Sequence, residues 1–126
     1  MQAILGLSQI ESIEKRVQKK KDIYELYRRR LRKVVNLIPT NLEHTCPWFM
    51  DIYVSNREDL QKYLKKNAIG TRKIYPALNK QKSVNIVGNF PITDKFSSKG
   101  LWLPSSLNLK DSDINHVCDL IEKFYE

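Results

Sequence analysis

The feature that most constrains the fold is an apolar stripe along one side of a single long helix. At about 100° per residue, Ile10, Ile13, Val17, Tyr24, Tyr27, Leu31 and Val35 fall in one band. Lys15, Lys19, Arg29, Arg30 and Lys33 lie on the opposite side. Such a band must be buried against other elements, because an isolated amphipathic helix is marginal in water. The pattern predicts a helix of roughly 30 residues that ends near Asn36. Beyond that point, Asn36 to Cys46 carries Pro39, Thr40 and Asn41, residues of turns and connections.

Residues 15–33 contain ten basic and two acidic side chains, so this segment holds the entire net charge of +8. Two readings are open for it: the solvated face of an ordinary surface helix, or a stripe that binds the phosphates of RNA or DNA. No helix-turn-helix pattern, finger spacing or RNP-type aromatic motif accompanies the charge, which favours the solvated face and makes nucleic acid an unlikely partner. Ahead of the basic run, Met1 to Leu7 has no charge, and Ile4, Leu5 and Leu7 spread over more than half a turn. A helix end that is apolar on all sides belongs against something. It is expected to meet partner surface, from a missing large domain or a second copy of the chain, with burial inside the same domain as the alternative.

The length of 126 residues suits a single domain over 1–126. No apolar run approaches the ~20 residues needed to cross a bilayer, and the start lacks the charged region of a signal peptide. A cytoplasmic protein with no membrane contact is expected, and two free thiols fit a reducing compartment.

Trp48 to Val54 is rich in aromatic and β-branched residues and reads as a strand central to its sheet. Asn56 is placed to cap a helix, with Asp59 three residues on and Leu60, Tyr63 and Leu64 as its buried stripe; Asn67 to Gly70 stops it. A strand at Thr71 to Tyr75 follows, halted by Pro76, then a polar loop from Asn79 to Gly88 with Lys80, Lys82 and Asn85 exposed. Phe90 to Ser98 reads as a short helix with Pro91 in its first turn. Leu101 to Leu103 is a third strand, and a last helix enters near Asn108, with Asp111 and Asp113 favourable in its first turn. Ile114, Val117, Cys118, Ile121 and Phe124 form its buried face. The order gives an α+β fold: a long N-terminal helix and a three-stranded sheet with helices packed on it.

Most chemistry can be set aside. His44-Thr45-Cys46 and His116-Val117-Cys118 have equal spacing, but residues two apart on a helix point about 200° from each other, so His116 and Cys118 do not share a metal easily. Asp111 and Asp113 read as partners of a helix dipole rather than an acid-base pair. No P-loop, dinucleotide glycine fingerprint, zinc-protease motif or nucleophile elbow is present. The least ordinary stretch is 69–82, where a strand bearing Arg72, Lys73 and Tyr75 runs into a polar loop. It places an anion binder and an aromatic hydrogen-bonder at a sheet edge, which suits a phosphate- or sugar-bearing ligand. A surface strand with solvated Arg72 and Lys73 is the plainer alternative.

Several segments, in order along the whole chain, together resemble the C-terminal part of the DegT/DnrJ/StrS family of pyridoxal-phosphate (PLP) sugar aminotransferases. Gln2-Ala3-Ile4-Leu5-Gly6-Leu7-Ser8-Gln9 is similar to the family helix that begins Gln-Ala-Ala-x-Gly-x-x-Gln. It continues through Lys20-Lys21, where Arg-Arg is usual, to Tyr27 and Leu31. Gly70-Thr71-Arg72 with Tyr75-Pro76, Leu78 and Gln81 resembles Gly-Thr-Arg…Pro-Leu-His…Gln. Phe90-Pro91 and Gly100-Leu101-Trp102-Leu103-Pro104-Ser105-Ser106 resemble the late Leu-Pro segment, most closely in the perosamine-synthase-like branch.

The resemblance implies the small domain of a fold-type I aminotransferase, dimeric when intact. Such an enzyme moves an amino group from glutamate to a nucleotide-linked 4-keto-6-deoxy sugar for surface polysaccharide such as lipopolysaccharide. It also implies that the Schiff-base lysine, the acid on the cofactor ring and most phosphate-binding residues belong to a large domain absent here. This chain alone is then expected to bind no PLP, to hold no catalytic residue and not to transaminate. By resemblance, Arg72, Tyr75 and Asn79 lie nearest the nucleotide-sugar, with Lys73 and Gln81 outside them. Asn79 stands where many relatives have His; an amide still hydrogen-bonds a sugar but does not shuttle protons near neutral pH. The competing class is a non-enzymatic module, dimerising through its N-terminal helix or binding RNA through its basic one.

Overall fold

A computed structural model of the protein describes residues 2–84 and 86–126, so Asn85 of the expected loop lies outside the described residues. Two helices replace the single long one: α1 (Gln2–Ile10) and α2 (Ile13–Leu31). The break centres on Ser12, at φ −106° and ψ 3°. Its hydroxyl donates to the Gln9 carbonyl at 3.1 Å and accepts from the Arg16 guanidinium at 3.0 Å. A serine that bonds a nearby carbonyl competes with the helical ladder, which apolar periodicity does not register. At the other end α2 stops at Leu31 rather than near Asn36, where the N–H groups of Val34 and Val35 both close on the Leu31 carbonyl.

The chain continues as β1 (Asn36–Leu37), β2 (Met50–Tyr53), α3 (Arg57–Lys66), β3 (Arg72–Lys73), a 3-10 turn (Leu78–Lys80), α4 (Pro91–Lys99), β4 (Gly100–Leu103) and α5 (Asp111–Tyr125). The fold is α+β, and its sheet has four strands rather than three, all antiparallel in the order β1-β2-β4-β3. The extra strand is β1, inside the segment expected to be turn. It pairs Asn36 with Tyr53 and Leu37 with Ile52, and two residues are too few to show an alternation. β2 is internal, as its composition predicted.

Strand alternation divides the sheet into two faces. Met50, Ile52, Leu101 and Leu103 are buried in one cluster with Ile23, Tyr27 and Leu31 of α2, Leu60 and Leu64 of α3, and Ile114 and Ile121 of α5. The residues between them, Asp51, Tyr53 and Trp102, face the other way. The α2 stripe is buried only from Ile23 onward; Ile23 and Leu26 belong to the core, whereas Ile10 and Ile13 are 63% and 51% exposed. On α1, Ile4, Leu5 and Leu7 are exposed as well, so this end is not buried inside its own domain.

The basic run is only partly a solvated face. Lys19 pairs with Asp111 at 3.2 Å. Arg30 donates to Asn115, Asp119 and Glu122 of α5 at 2.7, 2.6 and 2.9 Å, and the bonds to Glu122 first and Asp119 second hold its guanidinium pKa above the ordinary value. Arg30 therefore clamps α2 to α5. Lys20 donates to the Trp48 carbonyl at 3.1 Å and to the Ser105 carbonyl and hydroxyl at 2.5 and 3.2 Å, with burial lowering its pKa.

Helix ends also depart from expectation. Asn56 occupies the N-cap of α3 without a side-chain capping bond; its Oδ1 accepts instead from the Tyr125 hydroxyl at 2.6 Å. Past the other end, Ala68 takes φ 62°, while Ala68 N–H bonds the Lys65 carbonyl and Ile69 N–H the Leu64 carbonyl. This is a Schellman ending with alanine at the left-handed position, where a Cβ is unfavourable. Ala68→Gly is expected to stabilise the chain by about 1 kcal/mol, read as a higher urea midpoint with unchanged slope. α5 begins at Asp111 rather than Asn108, and Asp113 accepts from the Lys110 N–H at 2.8 Å.

Cys118 is buried in the core, and burial pushes its thiol up to about 12, whereas Cys46 is exposed. One thiol is expected to react with iodoacetamide at neutral pH in the native chain and two in urea; two rapid native reactions would place Cys118 wrongly.

Candidate functional site

Of the residues singled out in the sequence, Arg72 and Tyr75 meet on the sheet face opposite α2, α3 and α5. β3 is an edge strand that pairs Arg72 with Trp102, and on the far side of β4 Trp102 pairs with Asp51. The three form one row across the sheet. Trp102 is only 7% exposed yet lies outside the helix-side core. Phe49 stacks on it with centroids 3.9 Å apart and planes 10° from parallel, and Tyr75 meets it edge-on at 5.0 Å. The Arg72 guanidinium lies 5.0 Å from the Tyr75 ring and 5.6 Å from that of Trp102, within cation–π range. Trp102 Nε1–H donates to Asp51 Oδ1 at 2.5 Å. Burial raises the Asp51 pKa, and the bond from Trp102 partly opposes it.

Gly100 makes this arrangement possible. A Cβ there would lie 2.2 Å from Ile74 Cδ1, so a bare backbone lets the chain leaving β3 lie across β4, with Ile74 N–H bonding the Gly100 carbonyl at 3.1 Å. Tyr75 follows directly and returns to the Trp102 ring.

The neighbouring cations have other work. Lys73 pairs with Glu58 at 2.5 Å and Arg57 with the same carboxylate at 3.0 Å; Lys73 first and Arg57 second hold Glu58 below the usual carboxylate range. Arg57 also donates to the Ser97 carbonyl at 2.8 Å, joining α3 to α4. Lys80 pairs with Asp94. Arg72, among the described residues, has no carboxylate partner. It sits between two clefts: one of about 440 Å³ that includes Arg57, Tyr75 and Lys80, and one of about 340 Å³ that includes Phe49, Thr71 and Trp102.

Asn79 lies elsewhere. Its Nδ2 donates to Asp94 Oδ1 at 3.0 Å, which leads the causes holding that carboxyl low, and it lines a separate niche of about 220 Å³ with Leu78, Ile86, Phe90 and Thr93. Gln81 donates to the Pro76 carbonyl at 3.0 Å and so braces the loop. The structure thus joins Arg72 to Tyr75 and sets Asn79 in a separate niche. Sequence reasoning missed Phe49 and Trp102 as site residues. The available signal was a tryptophan between two core leucines on one strand, which must face the opposite side.

The PLP implied by the resemblance needs a lysine amine free to form an imine, a phosphate cradle and an acid for the ring nitrogen. Around the aromatic face the lysines do not offer that free amine. The lysine that burial most affects, Lys20, already donates to three oxygens, and Lys19, Lys73 and Lys80 are paired with carboxylates. Among the described residues, no three His, Cys, Asp or Glu side chains gather as metal ligands, and no helix is long and apolar enough to cross a membrane.

The sequence pattern of the DegT/DnrJ/EryC1/StrS aminotransferase family matches residues 1–122. GDP-perosamine synthase of Escherichia coli O157:H7 is 26% identical over 129 residues, covering 98% of this chain and 35% of that protein. The lipopolysaccharide biosynthesis protein RfbH of Salmonella typhimurium is 26% identical over 140 residues, covering 99% of this chain and 32% of its own. The solved structure of DesV from S. venezuelae superposes with a TM-score of 0.88 at 18% identity, over 98% of this chain and 35% of that one. The chain therefore spans about a third of the length of the relatives it matches. With the fold shared and the family pattern met from residue 1 to residue 122, the chain belongs to the DegT/DnrJ/EryC1/StrS aminotransferase family.

Proposed function

We propose that the chain is the C-terminal part of a PLP-dependent aminotransferase that moves the amino group of glutamate to a nucleotide-linked 4-keto-6-deoxy sugar, in the cytoplasm, for surface polysaccharide. Its own task is to close over the sugar nucleotide. Arg72 binds the diphosphate through its guanidinium fork. The Tyr75 hydroxyl bonds the diphosphate or the first sugar, and Asn79, held by Asp94, offers its carbonyl oxygen to a sugar hydroxyl. The observation that carries this reading is Arg72 itself: a guanidinium held by two aromatic rings, with no acid beside it among the described residues, between two clefts.

Amino transfer is assigned to the intact enzyme, whose large domain supplies the imine lysine; this chain alone is inactive. The exposed Ile4, Leu5 and Leu7 of α1 support an association with that domain or with a second copy. Calorimetric titration of the chain with GDP-4-keto-6-deoxymannose tests the reading. Saturable one-to-one binding that Arg72→Ala weakens at least about tenfold is expected for loss of a charge-assisted contact; absence of binding, or binding indifferent to Arg72, contradicts it.

A further inference from the structure

We propose that Lys20 is a positioning residue for the Arg72 face: it closes the open end of the β2–β4 ladder and so holds Phe49 against Trp102, one of the two rings that carry the guanidinium. The proposal rests on reading Arg72 as the diphosphate contact.

The register carries the argument. β2 and β4 pair Met50 with Leu103, so one step further Phe49 falls opposite Pro104, and two steps further Trp48 falls opposite Ser105. Pro104 has no N–H to donate, and β4 ends at Leu103. Beyond that point a single ammonium joins the two chains. Lys20 Nζ lies 3.1 Å from the Trp48 carbonyl and 2.5 Å from the Ser105 carbonyl, and it reaches the Ser105 hydroxyl at 3.2 Å. Seven residues along the same side of α2, the Tyr27 hydroxyl donates to the Pro104 carbonyl at 3.0 Å. α2 therefore grips two consecutive carbonyls of the chain leaving β4, and through Lys20 it reaches across to the chain entering β2.

Phe49 lies between the carbonyl that Lys20 holds and Met50, the first paired residue of β2. Two residues before Asp51, it is diagonal to Trp102, and the rings stack at 3.9 Å. Trp102 in turn lies 5.6 Å from the Arg72 guanidinium. Releasing the Trp48 carbonyl frees the Phe49 backbone, and Trp102 loses the ring that backs it. Bonds from an ammonium are stronger than those between neutral groups, so their loss is not trivial.

The test compares the full chain with Lys20→Met, which keeps an apolar stem and removes the ammonium, and with Lys20→Arg, whose fork can serve two carbonyls. Near-UV circular dichroism reads the Phe49 and Trp102 pair, with Phe49→Ala as the reference for its loss. Calorimetric titration with inorganic pyrophosphate reads Arg72, with Arg72→Ala as its reference, under conditions where far-UV circular dichroism shows each variant folded. Lys20→Met is expected to lose the aromatic signal as Phe49→Ala does and to bind pyrophosphate about threefold more weakly, the scale of one weakened cation–π contact. Lys20→Arg should retain both. A lysine that only stabilises the fold would lower the urea midpoint and leave the aromatic signal and the affinity of the folded chain unmoved. Should Lys20→Met fail to fold, Lys20→Gln, one bond shorter than lysine, takes its place with the same expectation. An aromatic signal or a pyrophosphate affinity unchanged in that variant overturns the positioning role, while weakened binding by Arg72→Ala leaves the diphosphate reading standing. Absence of pyrophosphate binding by the native chain overturns the diphosphate reading and the positioning role with it.

Discussion

Trp102→Ala is expected to destabilise the chain by about 3 kcal/mol, in the range of buried tryptophan truncations. The indole is nearly inaccessible, and four groups depend on it: the stacked Phe49 ring, the Tyr75 edge, the Arg72 guanidinium and the Asp51 carboxyl. Its loss also leaves Arg72 with one aromatic partner instead of two, so sugar-nucleotide binding should fall with stability. Trp102→Phe separates the two effects. It keeps an aromatic ring between Phe49 and Tyr75 but removes the Nε1–H donor, and should cost less than the alanine change. An unfolding free energy for Trp102→Ala within about 0.5 kcal/mol of the native chain, on the scale of exposed sites, would mean that this face carries no packed cluster.

The same cluster predicts a pH effect. Burial raises the folded pKa of Asp51, so its ionisation is harder in the folded chain than in the unfolded one. Whatever stability the protonated form provides is fully present below the unfolded pKa and is lost as pH rises through the folded value. Asp51→Asn keeps an acceptor for Trp102 and removes that titration. The variant should gain stability relative to the native chain as pH rises from the unfolded pKa of Asp51 through its raised folded pKa, and a difference flat with pH would show that Asp51 does not titrate this way.

Gly100→Val should cost about 3 kcal/mol, the upper part of the overpacking range. The backbone angle is not the cause, since φ is −77°, a value any residue adopts. The cause is Ile74, whose Cδ1 and Cγ1 lie 2.2 and 2.8 Å from the position a Cβ would take. A side chain there must push Ile74 away from β4, and Tyr75 moves with it. Combining Gly100→Val with Ile74→Ala should recover part of the loss, because the two side chains contend for one space. Strict additivity of the two changes in a urea-denaturation cycle would place the strain elsewhere.

Periodicity located α2, α3 and α5, because each buries an apolar stripe long enough to repeat, whereas α4 buries no side chain and was readable only from Pro91 in its first turn. It did not find the interruption at Ser12, where one hydroxyl decides the matter, nor β1, whose two residues form a strand only because β2 lies beside them. The basic run shows the same limit. Lys20 and Arg30 look solvated until Ser105 and Glu122, 85 and 92 residues away, are brought against them. At the site, Arg72 and Tyr75 were readable from one strand edge, while their aromatic support depends on the register that sets Trp102 between Arg72 and Asp51. The family resemblance put Asn79 with them, and in the structure its amide bonds Asp94 and lines a niche with Leu78 and Phe90.

Sugar-nucleotide binding at the Arg72 face, as against nucleic-acid binding along the basic α2, is open to one direct test. The direct measurement is competition on one sample: GDP-4-keto-6-deoxymannose and a single-stranded RNA oligonucleotide titrated into the chain over a series of salt concentrations. The sugar nucleotide is expected to bind, Arg72→Ala to remove most of that binding, and RNA not to displace it. RNA binding that falls steeply with salt, together with no response to the sugar nucleotide, would contradict that expectation.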